Sequence, residues 1–284
     1  MGGTRDYRMQ TTEALLRRSL DADGAGVRLT LDPAFQGLPG TAHGGSVLAA
    51  FDAVAAVGGI RRVSGVYRRR VPPGVPLRLD VHRAEGRVAC RVLEGDTVLV
   101  EGQVAPSVLA GTSAAVDEAG GTPLPVSNTC FVCGLDNVAG LRARLRFDEH
   151  DVFGVWTPPE RFRADRGGLA PLALTSLLDE AAFWLGALAS GESGMTADLA
   201  VTLADGVPLD TPVVVRGERG RVRPLASDQR YWQTHTVASD AAGRVVAAAD
   251  ITFVAIRGTA RKLSGWLNPL NPPGLLPRIF PAYA

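Results

Sequence analysis

The chain has 284 residues, a length that suits two units of about 100–150 residues better than one small domain. Hydrophobic residues make up 46% and charged residues 21%, which excludes wholesale disorder. Thirty Lys+Arg against 29 Asp+Glu leave a formal charge of +1, which argues against a general nucleic-acid binder.

The first ten residues carry Arg5, Asp6 and Arg8 with no apolar segment behind them, so no signal peptide is expected. Residues 12–21 predict a short amphipathic helix. Gly24-Ala25-Gly26 lacks the later glycine and lysine of a phosphate loop. Residues 47–56, Val-Leu-Ala-Ala-Phe-Asp-Ala-Val-Ala-Ala, predict a helix that is apolar nearly all round and carries one aspartate, Asp52. Val-rich runs at 77–82, 87–93 and 97–104, punctuated by Glu85-Gly86 and Glu94-Gly95, predict strands. Residues 110–127, rich in Gly, Ala, Thr, Ser and Pro with Asp117 and Glu118, have the chemistry of a linker. A second apolar helix is predicted over 172–183 with Asp179 inside it, and further strands over 213–216, 233–238 and 245–256. No apolar run is expected to reach the ~20 residues of a membrane span. From Ser264 on, Asn268-Pro269-Leu270-Asn271-Pro272-Pro273 argues against regular structure. The apolar residues Trp266, Leu275, Leu276, Ile279 and Phe280 nevertheless predict packing on the body.

The two halves echo one another. Gly74-Val75-Pro76-Leu77 returns as Gly206-Val207-Pro208-Leu209, 132 residues on, and Asp52 and Asp179 are 127 apart. Each half therefore reads as one long apolar helix followed by antiparallel strands. A helix apolar on most sides must be buried on most sides, and a curved antiparallel sheet wrapped around it achieves that. The expectation is an α+β chain of two such units, at 1–112 and 127–258, with a linker at 113–126 and a tail at 259–284. The two central helices should lie side by side, with sheet edges paired within the chain.

The segment Phe35-Gln36-Gly37-Leu38-Pro39-Gly40-Thr41-Ala42-His43-Gly44-Gly45, followed nine residues after the histidine by Asp52, resembles the His-Gly-Gly…Asp signature of hotdog-fold thioesterases of the phenylacetyl-CoA type. The opening of the second half, Asn128-Thr129-Cys130-Phe131-Val132-Cys133-Gly134-Leu135-Asp136-Asn137 and then Gly140-Leu141, also resembles that superfamily, as does the helix carrying Asp179. The resemblance covers roughly residues 25 to 257. One departure stands out: nine residues before Asp179 the chain reads Ala170-Pro171-Leu172, without the His-Gly-Gly.

The resemblance implies two tandem hotdog units, each a curved antiparallel sheet around a long central helix, and hydrolysis of an acyl thioester carried by coenzyme A or a carrier protein. It implies that the oxyanion-binding glycine and the carboxylate come from opposite units. That pairs His43 and Gly44 with Asp179 and Thr196, and leaves Asp52 facing Ala170-Pro171, where proline offers no N–H. One working site and one degenerate one are expected, with Asp179 as general base or nucleophile, Thr196 orienting it, and Asp52 as a lesser candidate. The chemistry is sound on its own terms. A helix N-terminus offers unpaired N–H groups and partial positive charge, glycines allow a carbonyl to approach, and each oxyanion donor is often worth ~3 kcal/mol.

Gly45 and Gln36 are further candidates for binding substrate. Arg68 and Arg70, in Arg68-Arg69-Arg70, together with Arg61 and Arg62, are candidates for coenzyme A phosphates. Cys130-Phe131-Val132-Cys133 is a lone C-x-x-C. A structural zinc needs four ligands, and only Cys90 and scattered histidines remain, so packing cysteines are expected and no metal. His82, His150 and His235 have no partner spacing. No Gly-x-Ser-x-Gly elbow is present. No cofactor is expected beyond the coenzyme A of the substrate. The expected setting is cytoplasmic, without nucleic acid or membrane, with homo-oligomers through sheet or helix faces as an option. Two other functions fit the same residues: a noncatalytic acyl-thioester-binding protein, and a hotdog dehydratase or isomerase. The helix signature of hydratases, Asn-Pro with a following His, is absent.

Overall fold

A computed structural model describes residues 10–23, 26–109, 111, 113, 116 and 120–283. The predicted linker residues 110, 112, 114–115 and 117–119, Gly24-Ala25, and the N-terminal residues 1–9 lie outside the described residues. The helices are α1 (Thr12–Arg18), α2 (Gly44–Ala55), α3 (Pro171–Ser190), α4 (Thr259–Leu267) and α5 (Leu275–Ile279). The first-half strands are β1 (Leu20–Asp23), β2 (Gly26–Leu29), β3 (Arg61–Tyr67), β4 (Leu77–Ala84), β5 (Arg87–Glu94) and β6 (Thr97–Pro106). They are followed by β7 (Thr122–Pro123), β8 (Arg146–Phe147), β9 (Asp151–Trp156), β10 (Gly194–Leu203), β11 (Val213–Glu218), β12 (Arg223–Leu225), β13 (Asp228–Ser239) and β14 (Val245–Ala255).

The strands form one antiparallel sheet in the order β1-β2-β4-β5-β6-β3-β10-β14-β13-β11-β9-β8-β7, with β12 paired to β13. Read outward from the middle, β3-β6-β5-β4-β2-β1 is answered by β10-β14-β13-β11-β9-β8, so the second half repeats the order of the first. The two halves join where β3 pairs β10, with Val63 opposite Val201 and Gly65 opposite Leu199. Each half thus covers the other's open edge. This is the fold class expected from the repeat, with the helices packed together inside the sheet.

The contact between α2 and α3 is close enough to dictate sequence. A Cβ on Gly45 would lie 2.5 Å from the Ser176 Cα and from the Thr175 carbonyl oxygen. The Thr175 hydroxyl donates to the Gly45 carbonyl at 2.8 Å, tying the two helices together. Pro171 opens α3 at its first turn, where a missing N–H costs nothing, and Gly191 ends it at φ 67°. At 20 residues α3 is long and apolar enough to cross a membrane, contrary to the expectation from the sequence, but most of it is buried within the protein.

Other expectations are corrected. The helix at 12–21 stops at Arg18, and the chain turns into β1 at Leu20. The strands β3 and β10, which join the halves, were not among the predicted strand runs, although both alternate in burial over part of their length. Part of the predicted linker is structured: Thr122–Pro123 pairs β8, and Leu124 is buried. The tail is regular after all. Helix α4 extends through Ser264 to Leu267, and α5 follows Pro272-Pro273, because proline is tolerated just outside a helix. Leu275, Leu276, Ile279 and Phe280 are buried as expected, whereas Trp266 is 53% exposed.

Candidate active site

Residues 35–43 form a loop that an isolated bridge between Gln36 and Ala42 pins shut before α2 begins. His43 is the N-cap of α2 in an extended conformation and makes no side-chain cap bond. Its ring is free to turn toward the other half of the chain. There Nδ1 lies 3.1 Å from Asp179 Oδ2, in ion-pair contact without the alignment of a hydrogen bond, and Nε2 lies 3.4 Å from Glu180 Oε2.

Asp179 sits two turns into α3 and is 4% exposed. Its Oδ2 accepts the Gly45 N–H at 3.0 Å, and its Oδ1 accepts the Thr196 hydroxyl at 2.7 Å. Thr196 lies at a bulge of β10 against β14, where the register slips between Thr196 and Asp198. Such a bulge re-aims side chains, here toward the helix. A Cβ on Gly44 would stand 2.7 Å from Asp179 Oδ2, so only glycine leaves the carboxylate its position. The structure therefore brings His43, Gly44, Gly45, Asp179 and Thr196 together, across the boundary between the two halves.

The electrostatics follow from burial and pairing. Burial drives the His43 pKa down, but Asp179 and Glu180 on its two sides outweigh it and raise it to about 10. Burial raises the pKa of Asp179, and the His43 charge, the Thr196 hydroxyl and the Gly45 N–H reverse that, leaving it below the ordinary carboxylate value. At neutral pH the site is an imidazolium held between carboxylates, with Asp179 ionised. Tyr67 donates its hydroxyl to the Gly44 carbonyl at 2.6 Å, and burial together with the nearby Asp179 charge holds the phenol pKa well up. The Gly44 N–H has no acceptor among the described residues. It is one of the unpaired donors every helix N-terminus leaves.

These groups border a cavity of about 360 Å3, within the usual range for small-ligand sites. His43, Gly44, Tyr67, Asp179 and Thr196 line its polar part, and Leu38, Val71, Phe183, Trp184, Leu263 and Leu267 its apolar wall. Arg69 and Arg70 border it and are exposed; Arg70 Nε approaches Met195 Sδ at 3.4 Å. The other predicted residues are elsewhere. Gln36 joins the Thr129 hydroxyl at 2.8 Å and the Gly40 N–H at 3.0 Å, stitching the loop to the second half. Gly45 serves the carboxylate and the helix packing and does not line the cavity. Arg68 pairs with Glu101, and Arg62 with Asp250 at 2.9 Å. Asp52 lies outside the cavity, held by Arg61 through Nε at 2.5 Å and Nη2 at 2.7 Å.

Sequence reasoning missed Tyr67 and Glu180, took Cys130 only for a packing cysteine, and did not see the tail in the site. Glu180 accepts from Trp184 Nε1 at 3.2 Å besides meeting His43. A second carboxylate next to Asp179 in a helix buried on most sides was the available signal. Cys130 reaches Glu180 because the 128–137 loop is sewn onto the first half by Phe131 N–H to the Gln36 carbonyl at 2.7 Å and Asn137 Nδ2 to the Ala34 carbonyl at 2.7 Å. The tail supplies part of the apolar wall through α4, which its prolines concealed.

No protein-family model matches the sequence, and no curated protein is significantly similar to it. Solved structures are similar in fold. A protein from Thermobifida fusca YX named as a thioesterase II superposes with a TM-score of 0.60 at 15% identity, over 86% of this chain and 99% of its own. A protein of unknown function with a hotdog fold from Alicyclobacillus acidocaldarius gives 0.57 at 11% identity, over 87% and 99%. The CurJ dehydratase gives 0.51 at 12% identity, over 82% and 85%. The chain has the hotdog fold in tandem form, a scaffold shared by proteins named for more than one chemistry.

Proposed function

We propose that this protein hydrolyses an acyl thioester, carried by coenzyme A or a carrier protein, in the cavity between its two halves. The observation that carries the reading is the convergence on Asp179. A buried, ionised carboxylate, held from both halves by Gly45, His43 and Thr196, faces a largely apolar cavity beside the unpartnered Gly44 N–H. In this reading the acyl chain lies along Phe183, Trp184 and α4, and the thioester oxygen takes the Gly44 N–H. As the carbonyl carbon becomes tetrahedral, that donor meets growing negative charge where it counts most. Asp179 takes a proton from the attacking water and returns it to the sulfur as the C–S bond breaks, or it attacks the carbon itself. The second route expels the thiolate to leave an acyl anhydride that water then hydrolyses, its proton going to the thiolate. Both routes require the anion. His43 has its two ring nitrogens engaged by carboxylates, so it positions the loop and the charge and does not transfer the proton. The exposed Arg69 and Arg70 suit the phosphates of coenzyme A.

One site works and its counterpart does not. Asp52 is neutralised by Arg61, and the second helix begins at Ala170-Pro171, which has no N–H at the equivalent place. Hydrolysis needs no metal or organic cofactor in this reading. The test is incubation of purified protein with a panel of acyl-CoAs while released thiol is titrated. Thiol release that persists in chelator supports the reading. Tight binding without thiol release instead supports a noncatalytic acyl-binding protein.

A further inference from the structure

The C-x-x-C pair is the one motif that hydrolysis leaves unused. In sequence it lacks further ligands, but the fold supplies them from two other segments. Cys130 Sγ lies 3.9 Å from Glu180 Oε2, Glu180 Oε2 lies 3.4 Å from His43 Nε2, and all three atoms are within 4.8 Å of one another. We propose that His43 Nε2, Cys130 Sγ and Glu180 Oε2 form a three-ligand site for a borderline-soft divalent cation of the Zn2+ kind, with its fourth position open to the cavity.

The spacing suits such an ion. Zinc at its usual bond lengths and tetrahedral angles sets N···O at about 3.4 Å and S···O at about 3.6 Å. The observed 3.4 Å already matches; the 3.9 Å, and a thiol-to-imidazole separation of up to 4.8 Å against about 3.6 Å on zinc, ask the Cys130 side chain to move in by up to about 1 Å. A thiolate, an imidazole and a carboxylate together select this class of cation over hard ones such as Mg2+. Thiolate and carboxylate also supply two negative charges, which neutralise the dication where all three side chains are buried.

The surroundings are those of a ligand set. Asp179 stands 3.1 Å behind His43 Nδ1 in ion-pair contact, and a small turn of the ring would align it as the carboxylate behind a metal-bound histidine, with the Nε2 proton released on binding. Trp184 Nε1 occupies Glu180 Oε1, leaving Oε2 toward the cluster. The Cys133 side chain, burial and the Glu180 charge hold the Cys130 thiol pKa well up, so binding must release its proton; the Val132 N–H, 3.3 Å from Sγ, then supports the thiolate. All three residues line the cavity, which provides an entry path and room for a water or small ligand as the fourth partner. Without metal the Cys130 thiol donates to the Glu180 oxygen that also meets His43, so the three groups already converge on one point. The site shares His43 and the cavity with the hydrolytic reading, but its test reads bound metal and not turnover, so the two can fail separately.

The test uses the full-length protein stripped of metal. Titration with Zn2+ by calorimetry is expected to give one equivalent bound. Co2+ is expected to give a thiolate-to-metal charge-transfer band with visible bands of tetrahedral intensity. Cys130→Ser should abolish the charge-transfer band and weaken Zn2+ by about 10²-fold or more, and Glu180→Gln by about tenfold or more. Cys90→Ser, which alters a thiol buried elsewhere on β5, should change neither. X-ray absorption on the zinc-loaded wild type needs no variant: sulfur in the first coordination shell supports the site. A shell of nitrogen and oxygen only, or Zn2+ affinity unchanged in Cys130→Ser, overturns it.

Discussion

Asp52→Asn separates the two aspartates that the sequence presents as equivalent. Asp52 is 7% exposed and pairs with Arg61, itself 4% exposed, through two guanidinium nitrogens at 2.5 and 2.7 Å. Removing one charge of a buried pair typically costs about 3–5 kcal/mol, mostly because the other is stranded. Two features reduce that here. Asparagine keeps one oxygen for Arg61, and Asp205 lies 3.5 Å from Arg61 Nη1. The expected loss is about 2–3 kcal/mol, with the Arg61 charge now resting on Asp205 and the Gly59 carbonyl. For a chain of this size that corresponds to a fall in Tm of roughly 3–5 °C. Thermal unfolding by circular dichroism measures it, and thiol release per folded molecule at a temperature well below the transition measures the site. Folded Asp52→Asn should keep most of its turnover. A variant of unchanged Tm would refute the role given to the Arg61 pair. A variant that is fully folded yet loses turnover 10²-fold would refute the assignment of the working site.

Gly44→Ala should cut turnover by about 10²-fold, since the new Cβ must displace a carboxylate oxygen 2.7 Å away, and displacements of this size carry such penalties. Steady-state thiol release checks it, and wild-type rates would show the glycine to be dispensable. Thr196→Val removes the 2.7 Å bond to Asp179 Oδ1 and should lower kcat about tenfold, the equivalent of about 1.4 kcal/mol, with little change in KM. The metal-free protein should lose stability as pH rises. The folded His43 pKa of about 10 exceeds its ordinary value of 6.5, so the histidine's contribution is complete below pH 6.5 and lost on the way to pH 10. Urea unfolding across that window measures it, and the slope should be smaller in His43→Gln.

Much of the architecture was legible because period and composition report burial. The apolar helices around Asp52 and Asp179 could only be central, and most of the strand runs at 77–104 and 213–256 needed no tertiary information. The halves' junction was harder to see. Strand β3 begins with two arginines, Arg61 and Arg62, whose charges are satisfied by Asp52 and by Asp250 on a strand 188 residues away, so its start looks like surface. The tail misled for a related reason, since Pro272-Pro273 forbids helix locally while leaving the flanking segments free. In the site, the resemblance named a histidine, a glycine, an aspartate and a threonine that the fold brings within contact of one another. It assigned no role to Glu180 or Cys130, whose meeting with His43 depends on how the 128–137 loop crosses onto the first half. The arginines divide on the same principle: Arg61, Arg62 and Arg68 find carboxylates, and only Arg69 and Arg70 border the cavity.

The most direct measurement is thiol release from acyl-CoAs by wild type and Asp179→Asn, side by side, with folding of both verified by circular dichroism. The substitution keeps size and the Thr196 hydrogen bond while removing the charge that His43 and Gly45 hold in place. Turnover is expected in the wild type and a loss of ~10²-fold or more in the variant, in line with the removal of a positioned base or nucleophile. Equal turnover in the two proteins, or none in a folded wild type across a broad acyl panel, would contradict it.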